Sequence, residues 1–183
     1  MPNRGVTIFL LAALLAVVAC LGPQVAGADN SGGASYQPPP QKATVKNGKA
    51  IAPSDAPPVV KAIIAAGNKI VEKPYRYGGG HGSWNDSAYD CSGSVSFALH
   101  GAKLIKQPMD SSEFMHWANG GSGHWVTVYA NHGHAFMTVA GLRFDTGYRD
   151  SYAKSHGAKP GSGPRWGKPR PTSGYAARHP KGL

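Results

Sequence analysis

The sequence predicts an α+β fold in which helices come first and an antiparallel sheet follows. Two observations support this prediction. Apolar residues recur at helical spacing across residues 59–72. After His124 the pattern changes to short segments that are rich in β-branched and aromatic residues and are separated by glycine-containing turns. The 183-residue chain has room for one ordinary domain and for additional segments at its ends.

The first 28 residues have the composition of an export signal. Arg4 is their only charged residue, and residues 6–19 are almost entirely apolar but too few to span a membrane, which takes about 20. The small residues at 26–28 fit a cleavage site that would release a soluble, secreted protein. Residues 17–20 instead resemble a lipoprotein box, and the alternative is therefore a lipid-anchored protein that begins at Cys20.

Residues 29–57 are predicted to form a disordered linker, because they contain proline clusters and few large apolar groups. The folded domain is predicted to cover residues 58–183. Its first helix is predicted at 59–72, with Pro74 ending it. A glycine-rich polar loop follows at 75–89.

Two further helices are predicted from their N-terminal capping residues. Residues 91–102 have apolar positions on one face, and Asp90 stands where an N-cap residue belongs. A short helix is predicted at 111–118, where Asp110 and Glu113 have the spacing of a capping box.

The predicted strands come next, at 124–130, 135–140 and 142–146, with a turn at 131–133. The last 35 residues are rich in Gly, Pro, Lys and Arg, and a final strand is predicted near 175–178. Two interpretations remain for this segment. It is either a loose polybasic tail or a segment that packs on the domain through Trp166 and Tyr175, and these aromatic residues favour packing.

The formal charge of +10 indicates an anionic partner. Removal of Arg4 with the signal would leave +9. For an exported protein we expect this partner to be the cell envelope. The sequence contains no basic region interleaved with aromatic residues, which is the pattern that would indicate nucleic-acid binding. No spacing of histidines or paired cysteines predicts a metal site, and no cofactor is expected.

Cys91 is the only cysteine outside the predicted signal, and a lone thiol in an oxidising compartment is either buried or reactive. In the first turn of a helix capped by Asp90, it would lie among free N–H groups that favour a thiolate and lower its pKa into the range of ~3.5–7.5. His134 opens a predicted strand and is the candidate base, and Asp145 on the next strand is a candidate for orienting its ring. His81 either contacts substrate or is a solvated loop residue.

The segment Pro74-Tyr75-Arg76-Tyr77-Gly78-Gly79, followed by Asp90-Cys91-Ser92-Gly93 and later by Gly133-His134, resembles the signature of the NlpC family of bacterial cell-wall cysteine peptidases. The resemblance covers roughly residues 59–147. It implies a papain-like core in which the cysteine-bearing helix packs on an antiparallel sheet.

The resemblance also implies an activity, which is cleavage of the peptidoglycan stem peptide between D-glutamate and the diamino acid. By position Cys91 would be the nucleophile, His134 the base and Asp145 the orienting residue. Tyr75 matches a tyrosine near the nucleophile, and Asp90 and Ser92 match positions that line the substrate cleft. The third catalytic position departs from the family pattern, in which histidine is more usual than aspartate.

Other functions remain open at this point. The same core could act as an N-acetylmuramoyl-alanine amidase or an acyltransferase, and a non-catalytic wall-binding module or an effector aimed at rival cells are alternatives of other classes. The expected protein is a secreted, wall-associated monomer without a membrane span after processing. A free thiol favours an enzyme over a pure binding module.

Overall fold

A computed structural model describes residues 41–147 and 163–183, together with Met1. The predicted export signal after Met1, both candidate processing sites and residues 29–40 of the predicted linker lie outside the described residues, and so do residues 148–162. The predictions for these segments therefore stay predictions. Within the described part of the chain, no helix is both long enough and apolar enough to cross a membrane.

The described residues form three helices and eight strands. The helices are α1 (Pro58–Ile70), α2 (Cys91–Gly101) and α3 (Ser111–Phe114). The strands are β1 (Thr44–Lys46), β2 (Lys49–Ile51), β3 (Asn119–Gly120), β4 (Val126–Asn131), β5 (His134–Val139), β6 (Leu142–Asp145), β7 (Arg165–Gly167) and β8 (Ala176–His179). These bounds agree to within a few residues with the helices and strands predicted between residues 59 and 146.

Six strands form one antiparallel sheet in the order β3-β8-β4-β5-β6-β7. Val128, Met137 and Phe144 are aligned across its centre and are completely buried. Helix α2 packs against β5 and β6, and α1 packs against α2. The predicted α+β fold, with the cysteine-bearing helix on an antiparallel sheet, is confirmed, and the arrangement is compatible with a papain-like core.

Helix α1 forms where the apolar period predicts it. Pro58 occupies the first turn, where its missing N–H group costs no hydrogen bond. Val60, Ile63 and Ile70 face the core and are at most 2% exposed. Burial of such side chains contributes roughly 1.5–3 kcal/mol each, which supplies the packing energy that a 13-residue helix needs in water.

The prediction of a disordered linker over 29–57 is wrong for its second half. Strands β1 and β2 form a hairpin whose turn residues Asn47 and Gly48 both have positive φ, as a two-residue turn of this kind requires. The side chain of Asn68 accepts a hydrogen bond from the Ala50 N–H and donates one to the Ala50 carbonyl. The hairpin is therefore held by polar contacts and small buried alanines, which a count of large apolar residues does not detect.

The C-terminal segment from residue 163 onward packs on the domain. Strand β8 lies inside the sheet, between β3 and β4. Trp166 on β7 is 7% exposed and packs on Phe144, with the two ring centroids 4.5 Å apart. The packed interpretation is therefore correct for residues 163–183, and the loose-tail interpretation is wrong for them.

Candidate active site

The start of helix α2 is fixed by Asp90. Its Oδ1 accepts the N–H of Gly93 at 2.7 Å, which makes it the N-cap, and its Oδ2 accepts the N–H of Gly78 at 2.9 Å. One buried carboxylate thus joins the helix to the glycine-rich loop before it. The result places Cys91 in the first turn, where its side chain is partly exposed.

Glycine at position 93 allows the loop and helix α2 to approach closely. A Cβ atom on Gly93 would lie 2.1 Å from the carbonyl oxygen of Gly79, which is a backbone atom that cannot move independently. The same carbonyl accepts the Asp90 N–H at 3.1 Å. The Asp-Cys-Ser-Gly motif therefore needs its glycine for backbone packing behind Cys91.

Two amides at the N-terminus of α2 are candidate donors to an oxyanion. The N–H of Gly93 is used by Asp90, and that of Ser94 donates to the Asp90 carbonyl. The amides of Cys91 and Ser92 have no acceptor among the described residues, as expected for the first turn of a helix. Such donors stabilise a negative oxygen when they point at the reacting carbonyl.

His134 lies at the first position of β5, directly after a tight turn. The side chain of Asn131 accepts the N–H groups of both Gly133 and His134, at 3.0 and 2.9 Å, and so fixes the backbone that carries the imidazole. The next turn, at Ala140 and Gly141, pairs Val139 with Leu142. In this register Asp145 lies on the same face of the sheet as His134.

His134 and Asp145 form a short, buried ion pair. The distance from Nε2 of His134 to Oδ1 of Asp145 is 2.7 Å, and the Asp145 side chain is fully buried. The same Oδ1 accepts the N–H of Gly147 at 2.7 Å. Because Nε2 is committed to the carboxylate, Nδ1 is the ring nitrogen that remains for Cys91.

Burial disfavours the charged form of His134, but hydrogen bonds to Asp145 and Cys91 outweigh it and raise the pKa of His134 from 6.5 to about 9. Burial also opposes ionisation of Cys91, and the side chain of His134 and the backbone of Ala135 more than offset this, so the pKa of the thiol is lowered. Both shifts act in the direction of a thiolate and an imidazolium.

Two arginines flank the other oxygen of Asp145. Arg143 Nε lies 3.5 Å and Arg170 Nη1 3.7 Å from Oδ2. Burial raises the pKa of Asp145. The hydrogen bond to His134, the charge of His134, the Gly147 amide and the charge of Arg143 together lower it by more, so the net pKa is lowered and the carboxyl group stays ionised. Asp145 is thus a buried anion surrounded by donors and cations.

Two clefts meet at Cys91. The first has a volume of about 300 Å³ and contains both Cys91 and His134, together with Thr146, Arg170 and Tyr175. The second, about 430 Å³, extends from Cys91 past Ser92, Asp90 and His81 to Asp110 and His132. Tyr75, Cys91 and Gly133 line both clefts. An extended ligand that crosses Cys91 could therefore occupy a cleft on each side.

The structure brings together every residue singled out from the sequence. Cys91, His134 and Asp145 form a connected set, and Tyr75 lines both clefts together with Cys91. Ser92 lines the second cleft.

His81 is not a freely solvated loop residue. Its Nε2 lies 3.1 Å from Asp90 Oδ1 and 3.2 Å from Ser92 Oγ. Asp90 lines the cleft, but both of its oxygens are occupied by protein donors. We infer that Asp90 positions the loop and the helix, while His81 stands at the cleft surface.

Sequence reasoning missed Arg143 and Arg170 as neighbours of the site. Arg143 could have been found, since it lies two residues before Asp145 on one strand and therefore shares its face. Arg170 has no such local signal, because its position depends on how the C-terminal segment folds back over the sheet.

No known protein family matches the sequence, and no curated protein sequence does. Among solved structures, the chain is similar to a hypothetical invasion protein of Mycobacterium tuberculosis. The TM-score is 0.46, the sequence identity is 19%, and the match covers 66% of this chain and 61% of that one. Function is therefore inferred from the geometry of the site.

Proposed function

We propose that the protein is a cysteine peptidase that cleaves the stem peptide of peptidoglycan at the bond between D-glutamate and the diamino acid. The observation that supports this proposal is the connected set of Cys91, His134 and Asp145 at the junction of two clefts. Similarity of the Asp-Cys-Ser-Gly segment to the NlpC signature suggests the substrate.

The geometry supports acyl transfer in two stages. The thiolate of Cys91 attacks the carbonyl carbon, and the amides of Cys91 and Ser92 hold the resulting oxyanion. Protonated His134 gives its proton to the nitrogen of the leaving amine, the C–N bond breaks, and a thioester remains. Neutral His134 then takes a proton from water, which attacks the thioester and releases the acid and the thiolate.

The cell envelope is the proposed location. A sequence charge of +9 after removal of the signal favours an anionic surface, and the predicted signal would deliver the protein there, either soluble or lipid-anchored at Cys20. We propose that the enzyme acts as a monomer, since the residues of the candidate site all come from one chain.

Digestion of purified cell walls, followed by mass analysis of the released muropeptides, tests the proposal. The wild-type protein is expected to release fragments that begin with the diamino acid, leaving the alanyl-glutamyl dipeptide on the glycan. Release of whole stem peptides would instead identify an amidase. Absence of any product, with wall binding retained, would support a binding module.

Cys91→Ser is the matched variant for this experiment, because it replaces sulfur by oxygen at the same position. Its activity is expected to fall below detection, while its melting temperature and wall binding stay close to those of the wild type. Ser87→Ala, an exposed change in the adjoining loop, serves as the control and should digest walls normally. Wall digestion by Cys91→Ser at the wild-type rate would rule out the thiol mechanism.

A further inference from the structure

Arg170 is a cation built into the wall of the first cleft. It lies between β7 and β8, in the C-terminal region that the sequence resemblance does not cover. Its guanidinium carbon is 5.4 Å from the ring centroid of Phe136 and 5.7 Å from that of Tyr175. Contacts of this kind with two aromatic rings hold the guanidinium in place while leaving its N–H groups available.

In the part of the chain that the structure describes, no residue accepts a hydrogen bond from the guanidinium of Arg170. A guanidinium carries five N–H donors. Among the described residues its ionic partner is Asp145, at 3.7 Å, which is beyond hydrogen-bond distance. The side chain is 33% exposed and lines the cleft, so its free donors face the space next to Cys91 and His134.

The charged side chains also differ between the two clefts. Arg143 and Arg170 both lie near Asp145, and Arg170 is the arginine of the two that lines the first cleft. The second cleft has the opposite character, since it contains Asp90 and Asp110.

The position of His134 decides which part of the substrate meets Arg170. His134 must protonate the leaving amine, and it lines the first cleft but not the second. The leaving residue consequently occupies the first cleft, beside Arg170. We propose that Arg170 binds a carboxylate carried by the leaving residue and so selects substrates in which that carboxylate is free. This inference rests on the proposed peptidase function.

Two tripeptides provide the test. Both contain L-alanine, γ-linked D-glutamate and diaminopimelate, and they differ only in whether the carboxyl groups of the third residue are free or converted to carboxamides. The wild-type enzyme is expected to show a higher kcat/KM for the free form by about tenfold or more, the range of a hydrogen bond to a charged group. Arg170→Gln should lower kcat/KM for the free form far more than for the amide.

Two further variants complete the experiment. Arg170→Lys keeps the charge but loses the planar fork of donors, so its preference should fall between those of wild type and Arg170→Gln. It also replaces Arg170→Gln if that variant does not fold. Lys181→Gln makes the same change of net charge at an exposed position outside both clefts and should keep the wild-type preference.

Two results would overturn the inference while leaving the peptidase proposal intact. One is equal cleavage of both tripeptides by the wild-type enzyme. The other is an equal loss on both tripeptides in Arg170→Gln, which would mean that Arg170 acts through Asp145 instead of binding substrate. Failure of the peptidase proposal is recognised separately, because the wild-type protein would then release no muropeptides from walls.

Discussion

Replacing Asp145 by asparagine removes one negative charge and nearly preserves the shape of the side chain. Oδ1 accepts two hydrogen bonds, from His134 Nε2 and from the Gly147 N–H, both at 2.7 Å. To keep them, asparagine must place its oxygen at Oδ1. Its NH₂ group then faces Arg143 and Arg170, which lie 3.5 and 3.7 Å from the present Oδ2. The NH₂ donor would then face the N–H donors of the two arginines. In the flipped orientation it would face the N–H donors of His134 and Gly147, so neither orientation of the amide satisfies all four partners.

The expected loss can be worked out from the pair. A pKa of about 9 for His134, against the ordinary 6.5, corresponds to about 3 kcal/mol of preference for the imidazolium, with Asp145 as its strongest favourable contact. Loss of a hydrogen bond to a charged group costs roughly 1.5–3 kcal/mol. We therefore expect kcat/KM near pH 7 to fall by roughly 10- to 100-fold, which is less than the loss in His134→Ala.

The pH dependence gives the more specific assay. Because the pKa of His134 is raised in the folded protein, the stability it contributes is full below 6.5 and is lost as the pH rises through about 9. The lowered pKa of Asp145 contributes stability above its ordinary value of 3.8, which is lost in acid. The free energy of unfolding, measured with denaturant, should thus differ most between wild type and Asp145→Asn at pH values between 3.8 and 6.5. The difference should be smaller at pH 10.

The alkaline limb of the kcat/KM profile should also move toward neutral pH in Asp145→Asn, since burial of His134 is no longer opposed by a carboxylate. Asp55→Asn, an exposed change with the same loss of charge, serves as the control. An alkaline limb at the same pH in wild type and variant, or a stability difference that is independent of pH, would refute this account of the pair.

Three further predictions follow from the packing and the charge. Gly93→Ala should destabilise the fold by about 1–3 kcal/mol and slow iodoacetamide labelling of Cys91, because its Cβ would lie 2.1 Å from the Gly79 carbonyl oxygen; Gly82→Ala, with open space around it, is the control. Deletion of residues 160–183 should lower the melting temperature or give insoluble protein, since β8 lies inside the sheet; unchanged melting would contradict this packing. Binding to purified walls should weaken as salt rises, because exposed charges are screened beyond about 10 Å at 0.1 M salt, and salt-independent binding would leave the basic excess without this role.

Local signals in the sequence were enough to predict helix α2 and the position of Cys91 in its first turn. Asp90 caps the helix through the Gly93 N–H, which is a contact inside the motif, whereas glycine is required at position 93 by the carbonyl of Gly79 in the preceding loop. The β1–β2 hairpin also had a local signal, the Asn47-Gly48 turn, but the scarcity of large apolar residues around it favoured a linker.

The sequence predicts Asp145 on the strand after His134, but it does not determine the register that brings the two side chains together. The register is set by a two-residue turn at Ala140 and Gly141, in which both residues have positive φ. Alanine rarely adopts this conformation, so the residue types do not predict the turn. The position of Arg170 in the cleft depends on how the C-terminal segment folds back over the sheet. No periodic pattern or motif in the sequence predicts that path.

In the proposed reaction, the same contacts would allow one imidazole to serve both stages. The pKa of His134 is lowered by burial and raised by two partners, Asp145 and Cys91. In the free enzyme both partners act, and His134 holds the proton that the leaving amine needs. Once the thiolate has become a thioester, its negative charge is gone and only Asp145 still raises the pKa against burial. The pKa of His134 is then expected to lie below its value in the free protein, which suits the base that must deprotonate the attacking water.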